Sequence, residues 1–212
     1  MSSFEFFFSF YGLLLGLSVA AIATGMAIAI QNRKRLKLGW LTPLLALFVL
    51  LDVASFWDFA WNVFRDVPFT YGLLVAGLAI ALTYFLAASL VFPYEPGDGA
   101  SLDDHFWANK KLVLLLTTAA NLLAVTLALP QLMKEGGLFL LVNYAITVSL
   151  YVVLVVPAAF ARKPTLFAAL IGLHVFIYLA LGVLGAINPH TVETLSAPPA
   201  VMTPPPPPAP AS

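Results

Sequence analysis

The sequence predicts an all-α membrane protein, a bundle of six transmembrane helices. Hydrophobic residues make up 61% of its 212 residues and charged residues only 9%, whereas about a quarter of the residues in a soluble domain are charged. The mean hydropathy is +0.97. Six stretches also reach the roughly 20 mostly apolar residues that a membrane-spanning helix needs. So few charges could not cover a surface that faces water.

The predicted transmembrane domain covers residues 1–188. Its six apolar runs are residues 4–30, 40–64, 71–93, 112–129, 138–160 and 166–187. None of them shows the alternation of apolar and polar residues that is typical of barrel strands. We therefore expect helices, and an integral protein of a bacterial inner (cytoplasmic) membrane.

The first run carries Gly12, Gly16 and Ala20 at four-residue spacing. Small residues at this spacing allow the backbones of two helices to approach closely. No small-residue cleavage site follows a short apolar core, so we expect this run to stay in the protein as a helix.

The second run alone carries carboxylates at membrane depth. At 100° per residue, Asp52, Ser55, Asp58 and Asn62 lie within about a third of the helix circumference. An unpaired carboxylate in mid-membrane costs roughly 3 kcal/mol or more, so we expect this polar stripe to face the bundle. It indicates either a proton or cation relay, or a contact that holds helices together through hydrogen bonds.

Prolines and one capping motif mark the ends of the third and fourth runs. Pro93 and Pro130 are expected to end these two helices. Ser101, followed three residues later by Asp104, is typical of a capping box and predicts a helical extension that begins the fourth helix. Asn121, within the fourth run, could line a path or form an interhelical hydrogen bond.

The sixth run places His174 and Tyr178 four residues apart, on one face of the helix. This histidine could pair with Asp52, relay protons, or act as the single axial ligand of a haem or chlorophyll. A neutral histidine hydrogen-bonded within the bundle is the structural alternative. No second histidine lies in an apolar run, which excludes a bis-histidine haem within this chain. The sequence requires no cofactor, and the cofactor is unknown.

Residues 189–212 contain nine prolines. This composition predicts an extracytoplasmic tail in the polyproline II conformation, without a core of its own.

The basic residues predict the orientation in the membrane. Only Arg65 and Lys134 fall on one side. The other side holds Arg33, Lys34, Arg35, Lys37, Lys110, Lys111, Arg162 and Lys163. By the positive-inside rule these eight face the cytoplasm, so both termini are expected on the extracytoplasmic side.

Several classes of function are excluded or disfavoured. The net charge of +0 gives no electrostatic surface for nucleic acid. The absence of cysteine rules out disulfides and thiolate chemistry. No metal-ligand spacing, phosphate-binding loop or nucleophile elbow is present, so we expect neither a metal site nor an enzyme.

Two hypotheses of function remain. In the first, the chain is a non-catalytic subunit or assembly module that packs in the bilayer against another membrane protein, or a second copy of itself, through helix faces and the proline-rich tail. In the second, it is a small proton- or cation-linked transporter or channel that uses Asp52 and Asp58. The sequence favours the first slightly, because the polar stripe lies on one helix only.

Overall fold

The fold is all-helical in the part of the chain that the structure, a computed structural model, describes: residues 3–37, 39–64, 67–68, 70–94, 101–135 and 137–187. The helices are α1 Ser3–Gln31, α2 Leu41–Phe64, α3 Tyr71–Ser89, α4 Leu102–Glu135, α5 Gly137–Phe160 and α6 Pro164–Ile187. Each is long and apolar enough to cross a membrane, which confirms the predicted class and the number of helices. The proline-rich tail lies outside the described residues.

The ends of α3 and α4 differ from the sequence prediction. Helix α3 ends at Ser89, four residues before Pro93. Helix α4 does not end at Pro130 but continues through it to Glu135. A proline removes one backbone N–H from a helix without ending it when the flanking turns keep their own hydrogen bonds.

Local capping accounts for two helix starts. The Ser101 hydroxyl accepts a hydrogen bond from the Asp104 backbone N–H at 3.4 Å, so the predicted cap begins α4. The Thr70 hydroxyl accepts one from the Leu73 N–H at 3.2 Å at the start of α3. Helix α6 begins at Pro164, a position where the missing N–H costs nothing.

The helices form two four-membered rings that share α2 and α4. In one ring, α2, α4, α5 and α6 each pack against two neighbours. In the other ring, α1 and α3 pack against each other, α1 packs against α2, and α3 packs against α4. Helices α2 and α4 are consequently the most deeply buried pair, and a polar side chain on α2 can meet side chains from several helices.

Three interhelical connections meet at one end of the bundle, which we call the basic end. The Leu102 N–H donates to the Lys37 carbonyl at 3.3 Å, and the Thr42 hydroxyl donates to the Leu102 carbonyl at 3.2 Å. Lys110 reaches from α4 to the end of α5, where its ammonium donates to the carbonyl of Ala161, the residue after the helix, at 2.7 Å. These contacts tie the α1–α2, α3–α4 and α5–α6 connections together.

The small residues of α1 do not form one shared packing face. Gly12 is buried against Trp57, and a side chain at Gly25 would meet the ring of Phe92. Gly16 has open space at the position of a Cβ atom, and Ala20 is exposed. Within the chain, α1 therefore packs through Gly12 and Gly25, and Gly16 with Ala20 faces outward.

Candidate intramembrane binding site at Asp52

The site is centred on Asp52, the twelfth of the 24 residues of α2. At 1.5 Å per residue, the carboxylate lies about halfway along a helix of roughly 36 Å. It is 0% exposed, so the expectation that this acid faces the interior of the bundle agrees with its position.

Side chains from four other helices hydrogen-bond the Asp52 carboxylate. The Tyr178 hydroxyl of α6 donates to Oδ1 at 2.8 Å, and the Tyr151 hydroxyl of α5 donates to Oδ2 at 3.4 Å. The Asn121 amide of α4 lies 3.1 Å from Oδ2 and 3.3 Å from Oδ1. The carboxylate also accepts a hydrogen bond from Tyr84 of α3. All of these donors are neutral groups.

Asn121 connects the partners with one another. Its Nδ2 atom lies 2.9 Å from the Tyr84 hydroxyl and 3.0 Å from the Thr117 carbonyl, in addition to the Asp52 oxygens. An amide nitrogen carries two hydrogens, so it can serve only two of these four acceptors at once. Asn121 Nδ2 is therefore surrounded by more acceptors than its two hydrogens can serve.

Aromatic packing holds the tyrosine hydroxyls in place. A buried tyrosine needs a partner for its hydroxyl, and at mid-membrane depth that partner must come from the protein. The ring of Tyr84 lies 5.3 Å from that of Phe56, and the ring of Tyr151 lies 6.3 Å from that of Phe48. These contacts on α2 direct both hydroxyls toward the carboxylate.

His174 lies one helical turn before Tyr178 and is 4% exposed. Its ring meets three aromatic rings edge-on: Tyr178 at 4.5 Å, Tyr151 at 5.2 Å and Phe48 at 5.6 Å. Neither ring nitrogen has a hydrogen-bond partner within the described residues. Buried polar groups of native proteins are nearly always paired, so this histidine requires an explanation.

A cavity of about 200 Å³ adjoins the site. Its wall includes Asn121, Tyr151 and Tyr178, whose polar atoms contact Asp52, and it also includes His174. The rest of the lining is mostly aliphatic and aromatic, from α2, α4, α5 and α6. The cavity has room for several water molecules, since one water takes about 30 Å³.

The polar stripe predicted on α2 divides in the structure. All three other members of the stripe are exposed, but Ser55 lines the cavity and Asp58 and Asn62 do not. The Asn62 amide donates to the Asp58 backbone carbonyl of its own helix at 2.9 Å. The expectation that the whole stripe faces the interior is wrong for these two residues, whose side chains are exposed.

Two partners of Asp52, Tyr84 and Tyr151, were missed by sequence reasoning. The signal available was a tyrosine near the middle of an apolar run, since tyrosines of membrane proteins concentrate at the interfaces. Tyr178 was singled out, but with His174 and not as a direct partner of Asp52. Asn121 was named only as a polar group of the fourth helix.

The residues around Asp52 and His174 form neither a metal site nor a pigment site. Within the described residues no group of three or more His, Asp or Glu side chains is close enough to hold a metal ion. His174 is enclosed by three rings beside a cavity of about 200 Å³, smaller than the roughly 300–1,000 Å³ of pockets for drug-sized ligands. With the helices in these positions, a haem or chlorophyll has no room at His174.

The arrangement can hold a proton or bind the polar end of a small molecule at the middle of the membrane. Comparison of the chain with protein-family models, curated proteins and solved structures finds no match.

Proposed function

We propose that the protein is a small proton- or cation-linked transporter or channel in which Asp52 is the coupling residue. The observation that carries this proposal is the convergence of side chains from α3, α4, α5 and α6 on one fully buried carboxylate. The sequence favours a subunit role slightly, because the polar stripe lies on one helix only. The partners on four further helices remove that reason.

Charge compensation indicates what Asp52 binds. No Lys or Arg contacts its carboxylate among the described residues, and the partners are neutral hydroxyl and amide groups. A carboxylate buried in the membrane without a cationic partner is costly. A proton or a bound cation is therefore required to neutralise it, and exchange of one for the other is the elementary step of coupled transport.

The basic end of the bundle is closed, which favours entry to the site from the opposite end. Between Asp52 and the basic end lie Phe48, Leu114 and Phe167, each 0% exposed. Beyond Asp52 in the other direction lies the cavity, which includes Tyr144 and Phe59. With the basic end in the cytoplasm, as the positive-inside rule indicates, the cavity would lie on the extracytoplasmic side of Asp52.

The transport proposal is tested with purified protein in liposomes that contain a pH-sensitive dye. Wild type should carry protons or cations down an imposed gradient, and Asp52→Asn should abolish the flux. Asp58→Asn is the matched control, because it makes the same chemical change on the same helix at an exposed position. Equal flux in wild type and Asp52→Asn would refute the proposal, provided that far-UV circular dichroism shows both proteins folded.

The orientation can be tested separately, because the chain has no cysteine. Single cysteines at Arg35 and Lys111, both exposed near the basic end, should react with a membrane-impermeant maleimide only after cells are opened. Labelling of intact cells at either position would contradict a cytoplasmic basic end.

The subunit role remains a second candidate because of one feature of α1. Gly16 and Ala20 face outward, and Gly16 has no atom within 4 Å of a Cβ position. Small residues four apart allow a helix of a partner, or of a second copy, to approach closely. Gly16→Val should then dissociate a complex isolated in mild detergent, whereas Leu17→Val, at an exposed neighbour, should not. An unchanged elution profile for Gly16→Val would count against this role.

A further inference from the structure

The connection between α5 and α6 carries three exposed cations at one edge of the basic end. Arg162 and Lys163 lie in this connection, and the Lys111 ammonium of α4 reaches it, 4.8 Å from the centre of the Phe160 ring. Phe160 is the last residue of α5 and lies two positions before Arg162. The three charges therefore share one small region of the surface. We call Lys111, Arg162 and Lys163 the connection cluster.

The described residues supply no anion for the connection cluster. No Asp or Glu side chain among them forms an ion pair with any of its three members. Asp104 lies on the same face of α4 as Lys111, but it precedes Lys111 by seven residues, a rise of about 10 Å. The negative end of the α5 dipole is already capped by Lys110. The cluster is therefore open to an anion from outside the protein.

The cluster lies at the depth of the lipid headgroups. Helices α5 and α6 have 24 residues each. Each is therefore about 36 Å long, somewhat longer than the roughly 30 Å of the hydrocarbon core. Residues 161–163, which join the two helices, consequently lie at the boundary between hydrocarbon and water. The anions that a membrane presents at this boundary are the phosphate groups of its acidic lipids.

Apolar side chains adjoin the cluster on its membrane side. Phe160 is 57% exposed, and Leu112, which follows Lys111 in the chain, is 50% exposed. Both residues belong to the membrane-spanning parts of their helices, so lipid covers their exposed surface. A free phosphate ion would contact only the charges. A phospholipid would contact the charges with its headgroup and the apolar surface with an acyl chain.

We propose that the connection cluster binds an anionic phospholipid. The phosphate lies between Lys111 and the α5–α6 connection, and an acyl chain lies along Phe160 and Leu112. Basic pockets between transmembrane helices recognise acidic lipid headgroups in this way. The bound lipid joins α4 to the α5–α6 connection beside the Lys110 cap. The site is independent of the transport proposal, because it shares no residue with the cavity next to Asp52.

Binding is tested by native mass spectrometry of the purified full-length protein. The protein is stripped of lipid in mild detergent and then given phosphatidylglycerol, which is anionic, and phosphatidylcholine, which has no net charge, in equal amounts and with the same acyl chains. Phosphatidylglycerol should be retained at least about tenfold more, because each basic residue near an anionic lipid contributes about fivefold in affinity and three converge here. Inorganic phosphate should not displace the lipid.

Two triple variants locate the site. The first replaces the whole connection cluster and should abolish the preference for phosphatidylglycerol: Lys111→Gln, Arg162→Gln and Lys163→Gln. The second is the matched control, which removes three equally exposed charges from the α1–α2 connection of the same end and should retain the preference: Arg33→Gln, Lys34→Gln and Lys37→Gln. Phe160→Ala should weaken retention of both lipids, because it removes apolar surface and no charge. Far-UV circular dichroism checks that each variant is folded.

Three outcomes would overturn the proposal. Equal retention of the two lipids by wild type would remove the anionic class. An equal loss of preference in the two triple variants would assign it to the total charge of the basic end and not to this cluster. Displacement of the lipid by inorganic phosphate would show that the cluster takes a phosphate ion alone. If the first triple variant does not fold, Arg162→Gln and Lys163→Gln are measured singly, and unchanged retention in both would refute the site.

Discussion

Replacing Lys110 with methionine should destabilise the folded bundle by about 2–4 kcal/mol. Lys110 is 4% exposed, and its ammonium donates to the carbonyls of Ala158, Ala159 and Ala161 at 3.2, 3.0 and 2.7 Å. These carbonyls belong to the end of α5 and the residue after it, where a helix has no further N–H groups to satisfy them. All three hydrogens of the ammonium are therefore used to cap the helix.

The magnitude follows from the number and kind of these bonds. Hydrogen bonds between membrane helices average about 0.6 kcal/mol, so three of them set a lower value of about 2 kcal/mol. Bonds from charged donors contribute about 1.5–3 kcal/mol each, and a cation at a helix C-terminus adds up to about 2 kcal/mol. Because one side chain makes all three bonds, their contributions overlap, and we expect a total well below the sum.

Lys111→Met is the matched control. It removes the same charge from the next residue, so any effect of net charge or membrane orientation is equal in the two variants. Lys111 is exposed, and its ammonium lies 4.8 Å from the centre of the Phe160 ring. An exposed cation–π contact contributes about 0.5–1 kcal/mol, so this variant should lose less than about 1 kcal/mol.

The assay is reversible unfolding of the purified protein by dodecyl sulfate, followed by far-UV circular dichroism and by tryptophan fluorescence. Trp107 provides a local signal, because the Lys110 ammonium lies 5.0 Å from its ring. Equal midpoints for Lys110→Met and Lys111→Met would refute the argument. A large loss in both would assign the effect to charge at the basic end and not to the cap.

Three further variants test the packing, the capping and the site. Gly25→Val should destabilise the protein by about 1–3 kcal/mol through overpacking, because the new Cβ would lie 2.6 Å from the Cβ atom of Phe92 and 2.7 Å from its ring. Gly16→Val should change stability little in the isolated chain, and thermal unfolding in detergent compares the two. Ser101→Ala should lower stability by about 1 kcal/mol through loss of the α4 cap, measured in the same way, and an unchanged midpoint would contradict this role. Tyr178→Phe removes the shortest hydrogen bond to Asp52, at 2.8 Å, and should change ion flux in liposomes without a change in helix content, whereas wild-type flux would show that the bond is dispensable.

The six helices could be predicted from the sequence because their signal is local. A run of about 20 apolar residues has one stable state in lipid, where each backbone polar group must be satisfied within the helix. The end of α4 was predicted less accurately. Pro130 favours a helix end in water, but in the structure α4 continues for five residues beyond it. In the membrane a break exposes unpaired carbonyls, which favours a continued helix.

The inward position of Asp52 could be predicted from its cost in lipid, but its partners could not. The angle between Asp52 and Asp58 on an ideal helix is 120°, so one can be covered by neighbours while the other is exposed. Which of them is covered depends on the order and rotation of all six helices. The same information determines that Tyr84 and Tyr151 meet Asp52. The order and rotation of the helices depend on contacts between residues that are distant in the sequence. The periodicity of a single helix does not reveal them.

The role of Lys110 is a second example of a contact between helices that could not be predicted from the sequence. Lys110 lies beside Lys111 in the sequence, and the two are indistinguishable among the basic residues that predict the orientation. Their roles are nevertheless different, because successive residues point 100° apart on a helix. Lys110 points toward the end of α5, and Lys111 points outward beside Phe160. Only the packing of α4 against α5 separates a structural lysine from a surface one.

The choice of an acid at position 52 is the strongest reason to assign the site a function. Helices can be held together in a membrane by neutral amide and hydroxyl groups, and Asn121 with the three tyrosines would supply such a network around any acceptor. A carboxylic acid at this depth adds only one property, the ability to gain or lose a charge, and it makes burial more costly. In the described structure no cation of the protein compensates that charge. The uncompensated charge is therefore the reason to propose that Asp52 exchanges a proton or a cation, because hydrogen bonding alone would not require an acid at this position.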